Sequence, residues 1–191
     1  MRQVRNIKKP LAAVALIAIV ASARLAGAAE IQGVKFSGQI RVGDTELVLA
    51  NVGLLRYRIF IKAYVAALYL GPGVEVGRLF DDVPKRLEIE YFYSIAAGGF
   101  ANATEVGIAA NVDGQELERL KPRIARLNAL YRDVRPGDRY ALTYLPGSGT
   151  ELALNGKRLG LIEGAEFAVA VFSIWLGPKA LDKSLKAQLL E

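Results

Sequence analysis

Apolar and polar residues change rhythm several times along this chain, and each rhythm predicts an element. Val34 to Ile40 and Glu46 to Asn51 read as short strands around an Arg41-Val42-Gly43-Asp44 turn. From Leu54 to Leu70, LLRYRIFIKAYVAALYL, no Gly, Pro, Asn, Asp or Glu interrupts the run. The stretch is rich in aromatic and β-branched types, so it predicts one long strand or a bent strand pair. Strand side chains alternate in direction. Regular pairing would put Arg56, Arg58, Phe60, Lys62 and Tyr64 on one face, and Leu55, Tyr57, Ile59, Ile61, Ala63 and Val65 on the other. Gly71-Pro72-Gly73 ends the run. Glu75 to Asp82 predicts a short helix. Arg86 to Ser94 predicts a half-buried strand, with Glu88 and Glu90 on its solvated face.

Helical spacing follows. Ala96 to Val112 is rich in small residues and predicts a helix, weakened by Gly98, Gly99 and Gly107 at about 1 kcal/mol each relative to Ala. Asp113 and Glu116 have the spacing of a capping box. Leu117, Leu120, Ile124, Leu127, Leu130 and Tyr131 then recur along one helix face. Pro122 inside that pattern predicts a kink or a restart. Strands at Arg139 to Leu145, Thr150 to Leu154 and Lys157 to Ile162 form a meander, with Asn155-Gly156 as a type I′ hairpin signal. Glu163 to Trp175 is apolar on nearly every face and predicts a buried helix. Leu181, Leu185 and Leu189 predict a final amphipathic one. Strands, helices, a meander and helices again argue for an α+β domain: one mostly antiparallel sheet with helices on one side.

Charge adds a leader to this picture. The net charge is +6, yet residues 1–28 hold Arg2, Arg5, Lys8, Lys9 and Arg24 and no acid, so the remainder is nearly balanced. The basic balance therefore does not point to nucleic acid. A cationic start, the apolar run Leu11 to Ala21 and the small-residue site Ala26-Gly27-Ala28 have the form of a secretory signal. The run is short of the ~20 residues that a membrane span needs. The reading is a signal at 1–28, cleaved after Ala28, and an exported domain at 29–191 with no membrane span, periplasmic in a Gram-negative source.

Two absences bound the chemistry. The chain has no Cys and no His. That removes disulfides, Ser-His-Asp and Cys-His machinery, and the usual zinc sites. No metal and no cofactor is expected. Neither Gly71-Pro72-Gly73 nor Gly147-Ser148-Gly149 has the spacing of a nucleotide loop or a nucleophile elbow. The main candidates are the cations Arg56, Arg58 and Lys62 on a strand face that mixes only cations with aromatics. Such a face suits an anionic or carbonyl-bearing apolar molecule. The plainer reading is a row of surface cations on an edge strand. Arg is the better ligand contact, because its planar fork matches a carboxylate. Tyr64, Tyr69, Tyr91 and Tyr93 could line the same cleft.

Three segments carry a resemblance. LRYRIFIKAYVAALYLG, LKPRIARLNALYRDVRPGDRYALTYLPGSGTELALNGKRLGLIEGAEF and IWLGPKALDKSLKAQLL resemble the bacterial branch of the chalcone isomerase-like proteins, over about Val34 to Leu190. The resemblance implies an open-faced β-sandwich, a large antiparallel sheet under a helix layer with a ligand cleft between. Some relatives cyclise chalcones and others bind fatty acids. It also implies that Arg56 matches the arginine that stabilises the developing anion in the enzymes, with Arg58 as the alternative. The helper threonine falls on Tyr64, the tyrosine near Phe100, the asparagine near Gly107, and a late Ser/Thr at Ser173 or Ile174.

Two functions follow from these residues. One is an exported, non-catalytic binder of a small apolar acid, fatty-acid-like or aromatic. Arg56 or Arg58 would anchor the acid, and Phe60, Tyr64, Phe100 and Phe167 would form the walls. The other is a chalcone isomerase-type intramolecular lyase acting on an enone, with Arg56 as electrophile. The oligomeric state stays open.

Overall fold

The computed structural model describes residues 27–57 and 61–191. Most of the expected signal, and the candidates Arg58 and Phe60, lie outside the described residues. The sheet is a continuous antiparallel meander of seven strands: β3 (Gln39–Val42), β4 (Thr45–Tyr57), β5 (Ile61–Leu70), β6 (Lys85–Tyr91), β7 (Arg139–Leu145), β8 (Gly149–Leu154) and β9 (Lys157–Ile162). A hairpin, β1 (Ala29–Ile31) with β2 (Val34–Phe36), forms a two-stranded sheet of its own. Helices α1 (Ala97–Asn111), α2 (Gly114–Leu130), α3 (Ala165–Leu176) and α4 (Lys183–Leu190) complete the α+β domain.

The Leu54 to Leu70 run is a strand pair, and β5 shows why its second half is apolar at every position. Tyr64, Ala66, Leu68 and Leu70 belong to the main core with the helices. Val65, Ala67 and Tyr69 belong to a second core with Val34, Phe36, Leu47 and Leu54. The small hairpin covers the sheet face that would otherwise meet water. Both faces of β5 are buried, so the period-two alternation of a one-sided strand disappears.

That second layer corrects the expectation for Glu88. It is not solvated. Glu88 is 6% exposed and is held by Arg86 Nη2 at 2.8 Å and Arg139 Nη1 at 3.1 Å. Arg139 also bonds Glu90 and stacks over the Phe36 ring at 4.6 Å. A buried carboxylate of this kind survives because it is paired twice. Lys85 is buried as well, and its Nζ donates to the Leu79 and Asp81 carbonyls at 2.6 and 2.9 Å. These bonds hold the loop after β5, where the expected short helix is only a single turn at Val76–Arg78.

The helices follow the pattern with two adjustments. Asp113 caps α2 by accepting from the Glu116 backbone N–H at 2.8 Å. Pro122 does not restart α2, which runs unbroken from Gly114 to Leu130. Pro122 sits on the exposed side, while Leu120, Ile124 and Leu127 hold the other side in the core. α3 is buried along most of its length, as its composition predicts. α4 packs on β4 at Gly53, where a Cβ would come within 2.8 Å of Leu185. There the Gln188 side chain accepts from the Leu54 N–H at 3.0 Å and donates to the Leu54 carbonyl at 3.3 Å.

Candidate functional site

Between the sheet and the helices lies an aromatic cavity. Strands β6 and β7 provide its floor with Leu87, Ile89, Tyr91, Tyr140 and Leu142. Helix α1 places Phe100 and Thr104 one turn apart on the same side. Tyr131, just past α2, closes one wall, and Ile174 and Trp175 of α3 close another. The rings interlock. Phe100 is central, with ring centroids 5.3 Å from Tyr91, 5.2 Å from Tyr140 and 5.5 Å from Tyr131. Tyr64 meets Tyr91 edge-on at 5.6 Å. The free volume among them is about 50 Å³. Pockets for drug-sized ligands hold roughly 300–1,000 Å³, so the rings nearly fill their own cleft.

The polar atoms of the site are few and uncharged. Thr104 Oγ1 and Tyr131 OH share a hydrogen bond of 2.7 Å. Trp175 Nε1 donates to Tyr64 OH at 3.1 Å. Tyr140 OH donates to the Arg132 carbonyl at 2.9 Å and accepts from the Arg132 N–H at 2.7 Å. Burial pushes the phenol of Tyr131 up to about 12, against the opposing effect of the Thr104 bond. Burial likewise raises Tyr64, Tyr91 and Tyr140. All four stay neutral near pH 7. No charged side chain lines the cavity among the described residues. An apolar body fits this wall, and a neutral oxygen could bond the Thr104–Tyr131 pair. A carboxylate would find no counter-charge among these rings.

The candidates separate in space. Phe100 lines the cavity, and buried Tyr64 packs at its edge. Phe167 is fully buried in the α3 core and is not among the lining residues. Arg56 is exposed on β4, opposite Lys62 on β5, and does not line the cavity. Of the expected common face, Arg56 and Lys62 remain together as cross-strand partners, and Tyr64 does not join them. β4 ends at Tyr57, β5 begins at Ile61, and the register shifts between Leu55 and Arg56. Lys62 is exposed while Tyr64 is buried. Of the other tyrosines, Tyr91 lines the cavity, Tyr69 lies in the second core and Tyr93 is exposed. Thr104, Tyr131, Tyr140 and Trp175 are the residues that sequence reasoning missed. The i, i+4 spacing of Phe100 and Thr104 was the available signal.

The family model that matches the chain is described as chalcone isomerase-like and spans residues 28–191. The chain belongs to the chalcone isomerase-like family. Among solved structures it is similar to the crystal structure of an Arabidopsis thaliana fatty-acid binding protein, at 15% identity and a TM-score of 0.65, over 85% of this chain and 95% of that one. That likeness is one of fold. No curated protein matches the chain in sequence. Within the chalcone isomerase-like fold, the helper positions expected from the enzymes hold few side-chain donors. Tyr64 OH accepts from Trp175, and Ser173 Oγ donates to the Ala170 carbonyl at 2.6 Å. Phe100 has no polar group. Gly107 has no side chain, and a Cβ there would come within 2.9 Å of Ile174.

Proposed function

We propose that this chain is an exported binding protein for a small apolar acid, fatty-acid-like or aromatic, and performs no chemistry on it. The uncharged aromatic cavity carries the reading. The apolar body would sit among Phe100, Tyr91 and Tyr131, displacing rings rather than filling a ready-made chamber. The acid head would stay outside that wall. Arg56 stands near the rung Leu55–Tyr64, just past the register shift, and its fork suits a carboxylate. Helix α1 is the wall best placed to yield. Its buried residues are Thr104 and Ile108, against eight in α3, and Gly98 and Gly99 weaken its first turn. That the same fold serves a fatty-acid binding protein in Arabidopsis adds support.

The isomerase alternative has less behind it. Cyclisation needs preorganised donors at the developing enolate, each worth about 2.7–4 kcal/mol. The helper positions offer one phenol, Tyr64, which accepts from Trp175 and keeps its own proton, and no side-chain donor at Phe100 or Gly107. Chalcone absorbance is expected to persist when the protein is added.

Calorimetric titration of the purified chain with dodecanoate and with cinnamate tests the binder. One equivalent of either acid should bind, and Arg56→Ala should weaken binding at least tenfold, as for a hydrogen bond to a charged group. If neither acid binds, the reading is lost. Binding that is unchanged in Arg56→Ala would remove the arginine anchor alone.

A further inference from the structure

A second feature lies at the same end of the sheet. Beyond the Tyr64–Tyr91 rung, the Phe92 N–H still bonds the Ala63 carbonyl at 3.1 Å. The chain there presents Tyr93, 53% exposed, beside Lys62, and Ile61, 40% exposed, starts the neighbouring strand. Gln32, Lys62, Phe92 and Tyr93 line an open hollow of about 400 Å³. Arg56 faces Lys62 across the ladder, and both are exposed. Neither has an ion-pair partner among the described residues. The sequence has no acid from Leu54 to Leu70 or from Tyr91 to Thr104.

We infer that this end of the molecule docks onto an anionic lipid surface. Two observations combine. The cations would draw the patch toward anionic headgroups. The exposed Tyr93 and Ile61 would gain from the interface itself, where tyrosine is favoured. A soluble anion would use the cations and leave the apolar side chains in water. The patch also adjoins the segment that leads into α1 and Phe100. A molecule arriving from the lipid would therefore meet the weakest wall of the cavity first. The docking itself requires no ligand in the cavity.

The test uses the full chain carrying Tyr93→Trp. The unaltered chain has one tryptophan, so the difference in emission isolates the reporter from Trp175 and from the leader. Vesicles of mixed phosphatidylglycerol and phosphatidylcholine should shift that emission to the blue and shield it from acrylamide, and salt should reverse both effects. Lys62→Glu changes the local charge by two units and should weaken this response about 30-fold. Equal response to pure phosphatidylcholine, no response of the reporter while the chain still sediments with vesicles, or an unaffected Lys62→Glu variant would each overturn the inference. So would a reporter already shielded without vesicles in a chain that sediments as a dimer, which would make the partner a second copy. No fatty acid enters this experiment, so its failure and the failure of the binder reading are separable.

Discussion

Phe100 decides how much room the cavity offers. Its ring touches Tyr91, Tyr131 and Tyr140, and no polar group fixes it. Phe100→Ala should cost up to about 3 kcal/mol in urea unfolding, because the ring is only half-buried. The same change should tighten dodecanoate binding by removing the group that the ligand displaces, which titration would show. Glu88 makes the opposite case, a charge kept for the fold. Glu88→Ala would leave Arg86 and Arg139 facing each other in a buried layer. A loss of roughly 3–5 kcal/mol is expected by chemical denaturation, and a loss under 1 kcal/mol would show that the network is dispensable. Neither role could be read from residue type. Glu88 alternates with apolar neighbours as a solvated residue would, and only the β1–β2 hairpin makes it buried.

Elements here are shaped by close approaches as much as by propensity. α1 lies against α3 at Gly107, where a Cβ would stand 2.9 Å from both Cγ1 and Cγ2 of Ile174. Ile174 is buried and β-branched, so it has little freedom to swing away. Gly107→Ala would gain about 1 kcal/mol of helix propensity and lose about 1–3 kcal/mol to overpacking. We expect net destabilisation by urea, relieved when Ile174→Val is added; a stabilised single variant would refute the close packing. The same contact explains why an asparagine cannot sit at this position without moving the helix. Most elements were legible from periodicity, and the Asn155-Gly156 hairpin has the positive φ angles that its signal predicts. The weak places were those where a neighbour replaces a local rule. Gln188 bonds the Leu54 backbone, and the Lys85 ammonium braces the loop where a helix was expected.

At the scale of the whole molecule, the buried phenols set a ceiling on alkaline stability. Tyr64, Tyr91, Tyr131 and Tyr140 have folded values raised by burial above the ordinary value of 10.0. In the unfolded chain they ionise near pH 10, whereas folded Tyr131 holds its proton to about 12. Their contribution is complete below pH 10 and is lost as pH rises from there through the folded values. Lys85 acts the other way. Burial lowers it to about 8, so the unfolded chain binds more protons between pH 8 and about 10.4, and stability rises with pH across that window. Urea midpoints should therefore rise gently from pH 8 to 10 and fall steeply above. Lys85→Met should abolish the rise and keep the fall. A flat profile in the unaltered chain would contradict both assignments.

The sequence by itself determined the class of this protein. Periodicity, turn residues and caps act over a few neighbouring positions, so they could be read directly, and they predict the antiparallel sheet and the buried α3; the resemblance of longer segments supplies the family. The absence of Cys and His also bounds the chemistry. Tertiary structure alone decided what faces what. A one-residue shift in register turns a side chain to the other face of a sheet. The end of β4 at Tyr57 and the shift beside Leu55 put Arg56 in water and Tyr64 in the core. The cavity gathers its walls from β6, β7, α1, α3 and Tyr131. Those residues are brought together by packing across long stretches of chain, which no local pattern records.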